Sequence, residues 1–272
     1  MSGAVRTEYD PSYYEPLASV EDHHFWFQAR NRVIGATVGQ LTASLAPGYR
    51  VLEVGCGTGN VLRTLVAACR TGTVMGIDLF QDGLEVARSR MPGVGLVRAD
   101  AMHPPFSVRF EVVGMFDVLE HLPDDVGVLR ALRQMITDAG ALVVTVPAGP
   151  GLWSYFDEAA QHVRRYTADE LGGKLTEAGF EVEFLSPYMA SLYPAVWAGR
   201  RLASVMIRRQ STRSEPDHRR LLVDQELHVS PLLSAAVRPL LALERPLLRR
   251  RRRLPIGSSL IAVARRSGSD AD

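Results

Sequence analysis

Between Val51 and Asn60 the chain reads Val-Leu-Glu-Val-Gly-Cys-Gly-Thr-Gly-Asn, four mostly apolar residues followed by three glycines at alternate positions. Val61, Leu62, Leu65 and Val66 then recur at helical spacing. The pattern predicts a buried strand, a tight turn and a helix. Glycine serves where the chain turns sharply or where backbone approaches a ligand with no Cβ in the way. Such a turn also presents a helix N-terminus, whose free N–H groups favour a carboxylate or phosphate. The spacing Gly-x-Gly-x-Gly differs from the Gly-x-Gly-x-x-Gly of dinucleotide sites.

Thr73–Ile77 reads as a second strand, and Asp78 follows it, 19 residues after Gly59. A carboxylate there suits a ribose diol and disfavours a 2′-phosphate, because two anions would repel. Further strands are expected at Arg50–Val54, Gly95–Arg98, Glu111–Phe116, Gly140–Val146, Glu181–Leu185 and, much later, Ser258–Ala264. Helices are expected at Asn31–Leu45, Asn60–Cys69, Gln81–Arg90, Asp124–Thr137 and Ala168–Ala178. Strand–helix alternation with apolar strands implies α/β architecture, a doubly wound, mostly parallel seven-stranded sheet. Gly55, Asp78, Asp100 and Asp117 each follow a strand, so they converge on one rim, where such sheets bind ligands.

Four segments carry a family resemblance: Glu53–Gly59, Asp78, Arg98-Ala99-Asp100-Ala101 and Phe116-Asp117-Val118-Leu119-Glu120-His121-Leu122. In order and spacing they resemble the cofactor motifs of class I (Rossmann-like) S-adenosylmethionine-dependent methyltransferases, nearest the small-molecule, quinone-biosynthesis-like branch. The resemblance covers roughly residues 20–185. It implies S-adenosyl-L-methionine as cofactor, with Gly55, Cys56 and Gly57 offering backbone N–H groups to the methionine carboxylate. Glu53 would help hold the ammonium or sulfonium end. Asp78 would accept from the ribose, Asp100 from the adenine amino group with Ala101 supplying backbone, and Leu79 and Met102 would sandwich the ring. Asp117 belongs to the same rim. Arg30 would reach the cofactor's carboxylate; as a plain surface arginine it reads equally well. Cys56 is otherwise a small filler with a reduced thiol.

An oxygen or nitrogen acceptor often needs a base, and His121 is the first candidate. The alternative is that His121 packs beneath the cofactor. Glu120 reads as structural. A second group follows the fifth strand: a proline- and glycine-rich loop, Pro147–Asp157, then His162-Val163-Arg164-Arg165-Tyr166. His162 and Tyr166 are expected to face the acceptor, and Arg164 or Arg165 to hold an anion. The competing reading is a loop tied down by its own Asp157–arginine pairs. Thr167 and Glu170 form a capping-box pattern for the next helix.

Residues 1–47 are expected to form an N-terminal cap and helix, with residues 1–20 loosely ordered. Phe25-Trp26-Phe27 would be either a lid over the site or a core plug. The cofactor-binding core is expected at 48–186, a basic helical insertion at 187–257, and the last strand and a disordered tail at 258–272. The insertion carries 14 arginines against 5 acids, although the whole chain is only +1. It has two helical patterns, Leu192–Ile207 and Pro231–Arg253, and a polar linker at Gln210–Asp217. Three roles stay open for it: a solvated helical subdomain, peripheral contact of the Arg-rich 231–253 segment with an anionic membrane, or a homodimer contact.

Two cysteines offer neither metal spacing nor a disulfide framework, and no ligand cluster suggests a metal. No nucleic-acid motif is visible. With no secretion signal and no apolar run of membrane-spanning length, a cytoplasmic location is expected. The expected activity is methyl transfer to a small or lipid-like organic acceptor, in secondary metabolism or cofactor biosynthesis. Alternatives are a same-fold enzyme catalysing cyclisation or isomerisation, or a non-catalytic binding module.

Overall fold

The computed structural model describes residues 14–194, 196–199 and 231–267. Seven strands form one sheet: β1 (Arg50–Val54), β2 (Thr73–Asp78), β3 (Gly95–Arg98), β4 (Phe110–Phe116), β5 (Ile136–Pro147), β6 (Phe180–Tyr188) and β7 (Ser259–Arg266). Their order is β3-β2-β1-β4-β5-β7-β6. The first five are parallel, and β7 runs antiparallel between β5 and β6. The order of the parallel strands reverses between β1 and β4, which opens a crevice at their carboxyl ends.

The helices are α1 (Tyr14–Glu21), α2 (Phe25–Thr42), α3 (Asn60–Ala68), α4 (Gln81–Arg90), α5 (Asp125–Gln134), α6 (Tyr155–Ala159), α7 (Ala168–Glu177) and α8 (Pro231–Arg249). Two apolar layers cover the sheet. One joins Ile34, Val38, Leu62 and Leu65 to Val51, Val112 and Val143. The other joins Leu129, Leu132, Leu171 and Leu175 to Leu52, Val113 and Val144. Both faces of the central strands are thus dry, as a parallel sheet requires.

Three expectations change. The stretch expected to be loosely ordered contains α1, with Pro16 in its first turn, where a missing N–H costs nothing. The second helix begins at Phe25, not Asn31, and His24 caps it by accepting from Trp26 N–H. Its aromatics Phe25 and Trp26 pack against the apolar layer. β5 begins at Ile136, inside the region expected to continue the fifth helix; Met135 closes that helix, and Phe110 pairs with Ile136 across a bulge. The described part of the insertion includes α8, which packs Leu241 and Leu248 inward and exposes Leu240, Leu243 and Leu247. Most of the Leu192–Ile207 helix and the Gln210–Asp217 linker lie outside the described residues. Among the described residues no helix is long and apolar enough to cross a membrane.

Candidate cofactor and acceptor site

Strand register brings the motif residues to one level. Val54 is opposite both Ile77 and Met115, so Gly55, Asp78 and the end of β4 emerge side by side. Asp78 is opposite Arg98, placing Asp100 two residues past the same line. Gly55 has φ +75°, and a Cβ there would lie 2.4 Å from Val118 Cγ2. Only glycine fits that turn, which is why the β4 loop can close so near it.

The turn's N–H groups do not point free as expected. Gly55 and Cys56 N–H both donate to Ile77 O, and Gly57 N–H donates to Asp78 Oδ2 at 2.7 Å. The turn curls back on the end of β2, so a ligand carboxylate finds these donors engaged. Asp78 also accepts from Phe80 N–H through Oδ1. Two backbone bonds fix its carboxylate, and each oxygen keeps a lone pair for a diol. Burial nevertheless pushes its pKa up. Cys56 is buried with its thiol pKa pushed up by burial, and its sulfur lies against Gly76, as a filler would.

Glu53, the penultimate residue of β1, is 2% exposed, and its Oε2 has no hydrogen-bond partner among the described residues. Burial, partly offset by Arg30, holds its carboxyl well above the ordinary carboxylate range. A buried, unpaired acceptor at the mouth of the crevice fits a cationic ligand group. Asp100 is half exposed and caps its own turn by accepting from Met102 N–H. Ala101 and Met102 pack against the second apolar layer, and Leu79 stands exposed on the rim.

The cap closes one side. Tyr14 is buried beside Gly57 and Gly83. Glu21 and Asp22 pair with Arg90, Asp22 also pairs with Arg63 at 2.6 Å, and Thr58 donates to Glu21. Arg30 is 8% exposed, so it is no surface arginine. Its guanidinium lies over Trp26 and Phe27 and donates to Asp117 at 2.9 Å. Thr145 Oγ1 donates to the other Asp117 oxygen.

The acceptor-side expectations divide. Tyr166 does not face an open site: it is 1% exposed, and its hydroxyl donates to Asp125 Oδ2 and Leu119 O. Burial and Asp125 push its pKa up, so it is a poor acid–base group. Neither arginine is available for an anion. Arg165 donates to Asp157 and to Ala148 O, and Arg164 pairs with Asp125 and Pro123 O. The loop is tied down by its own acids, the competing reading above. His162 Nδ1 meets Asp157 Oδ1 at 2.9 Å. His121 packs edge-on to it, centroids 4.8 Å apart, and burial together with His162 lowers its pKa to about 4. His121 is therefore neutral near pH 7 and a weak base. The expectation that no ligand cluster exists also changes: Glu120, His121 and His162 place ligating atoms within 4.8 Å of one another. Glu120 reads as structural in the sequence and Asp157 as a partner of arginines; that both face His162 shows only in the fold.

Residues 24–184 match the family described as "Methyltransferase domain". The chain belongs to the class I S-adenosylmethionine-dependent methyltransferase family. As a member it is similar to methyltransferase GfsG of Streptomyces halstedii, 33% identical over 143 residues, covering 50% of this chain and 47% of that protein. It is similar to the ubiquinone biosynthesis O-methyltransferase of Pseudomonas aeruginosa, 30% identical over 155 residues, covering 50% of this chain and 66% of that one. The matched part of the chain thus spans about half to two thirds of these methyltransferases. In fold it is similar to an S-adenosylmethionine-dependent methyltransferase of Clostridium acetobutylicum, with TM-score 0.56, 10% identity and coverage of 94% and 100%. It is also similar to the [4+2]-cyclase SpnF, with TM-score 0.54, 20% identity and coverage of 86% and 82%. These two likenesses concern the fold alone.

Proposed function

We propose that this chain moves a methyl group from S-adenosylmethionine to a small or lipid-like organic acceptor. The observation that carries this reading is the orphaned Glu53 Oε2, buried where the glycine turn leaves β1. A side chain so placed costs stability unless a cation meets it. The bound cofactor supplies an already electrophilic methyl group on a sulfonium. What remains for the protein is binding, alignment and exclusion of water.

Glu53 faces the cationic end. Asp78, held by its two backbone bonds, accepts from the ribose hydroxyls. Asp100 and Ala101 meet the adenine, with Leu79 and Met102 against its ring. Arg30 and Asp117 fix the floor between cap and core, and Tyr14 shuts the outer side. Gly55, Cys56 and Gly57 shape the turn rather than donate to the carboxylate. His121 and His162 stand on the acceptor's side of the rim. The exposed leucines of α8 next to Arg249–Arg253 support access to an acceptor at an anionic lipid surface.

The likeness to a cyclase does not favour a non-methylating reaction, because fold does not fix chemistry. The test combines calorimetry with S-adenosylhomocysteine and turnover with a methyl-labelled donor over phenolic, amine and lipid acceptors. Label transfer with release of S-adenosylhomocysteine is expected. Product formed with the donor unconsumed would replace the reading with cyclisation or isomerisation, and binding without any product would replace it with a scaffold.

A further inference from the structure

Beside the cofactor rim, two separate stretches bring three ligand-type side chains together. Glu120 and His121 lie in the 3-10 turn that follows β4, and His162 comes from the loop after α6. Glu120 is 1% exposed, and its Oε2 has no hydrogen-bond partner among the described residues. Its Oε1 lies 3.9 Å from His162 Nε2, too long for a hydrogen bond. That separation is near the ~3.4 Å between two ligands of a tetrahedral ion with bonds of about 2.1 Å.

The histidine is oriented for the task. Asp157, fully buried, takes His162 Nδ1 at 2.9 Å, Arg165 Nε at 2.7 Å and Ser154 N–H at 2.9 Å. An immobile carboxylate behind one ring nitrogen fixes the tautomer and turns the other nitrogen, with its lone pair, toward Glu120. Backing of this kind is characteristic of metal-bound imidazoles.

We propose that Glu120, His121 and His162 form a binding site for one divalent transition-metal cation, with Asp157 as the positioning residue for His162. Two imidazoles and one carboxylate suit Zn2+, Co2+, Mn2+ or Fe2+, and are a poor set for Mg2+ or Ca2+, which prefer all-oxygen shells. Three protein ligands leave coordination positions for water or a heteroatom of an acceptor. The site does not depend on the methyl-transfer reading, since every ligand lies outside the cofactor contacts assigned above.

The test uses the full chain, stripped with a chelator and titrated with Co2+, following visible d–d absorption, with metal content measured after dialysis. One Co2+ per chain, displaced by Zn2+, is expected. His162→Gln should weaken binding at least tenfold, and Asp157→Asn about 10- to 100-fold through the orientation of His162. His103→Ala, an exposed histidine elsewhere, should bind as the parent does. Circular dichroism checks the fold of each variant; should Asp157→Asn fail to fold, His162→Gln decides alone. Absence of Co2+ uptake by the parent protein, or equal uptake by folded His162→Gln, overturns the proposal.

Discussion

Arg30 Nη1 and Asp117 Oδ2 lie 2.9 Å apart, joining the first turns of α2 to the residue just past β4. The two side chains are only 9% and 16% exposed. Removing one partner of such a pair strands the other charge in a dry place. Arg30→Ala should cost about 3 kcal/mol in denaturant unfolding. A loss below roughly 0.5 kcal/mol would mean the pair behaves as an exposed one.

Gly55→Ala forces an L side chain to φ +75° and drives its Cβ against Val118. Strain and overpacking together should destabilise the fold by about 3 kcal/mol. Adding Val118→Ala should recover part of that, because it removes the clash and leaves the strain. No recovery in the double variant would show that the clash is not what matters.

Tyr166→Phe should lower stability by about 1 kcal/mol by deleting the bonds to Asp125 and Leu119 O. Its turnover should match the parent's. A collapse of turnover with unchanged stability would restore Tyr166 to the reacting site.

Glu53→Gln separates stability from binding. Folding raises this carboxyl from its ordinary 4.5, so the folded protein keeps a proton that the unfolded chain releases. On this group's account stability is full below about pH 4.5 and falls as pH rises toward the folded value. The variant should therefore melt higher at pH 7, lose that downward slope, and bind S-adenosylhomocysteine or the donor more weakly. Identical pH profiles for parent and variant would refute the raised pKa.

Asp78→Ala should weaken cofactor binding by about 1–3 kcal/mol, the cost of buried polar groups left without partners. The Gly57 and Phe80 N–H groups lose their acceptor too, so unfolding must be measured alongside. Unchanged affinity in a folded variant would remove the ribose contact.

The parallel core was readable because its signals are local. The extents of β1, β3 and α4 follow from periodicity and from the glycines and prolines around them. That Glu53, Asp78 and Asp100 share one rim was readable because each lies at or just past the carboxyl end of a strand. Asp157 and His162 are five residues apart, but Glu120, which lies near His162, is some forty residues earlier, so this grouping shows only in the fold. Tyr166 misled for the opposite reason: a hydroxyl beside His162 looks chemical until burial shows it spent on Asp125. The anchoring of α1 by Arg63 and Arg90 is likewise a long-range ionic fact that no periodicity records.

The wedging of β7 between β5 and β6 has a consequence during synthesis. Neither neighbour bonds to the other, so each emerges from the ribosome with a raw flank that waits for residues 259–266. Until then both flanks can be captured by a wrong partner. Nonsense or proteolytic loss ahead of Ser259 would thus yield two orphaned edges rather than a smaller working protein.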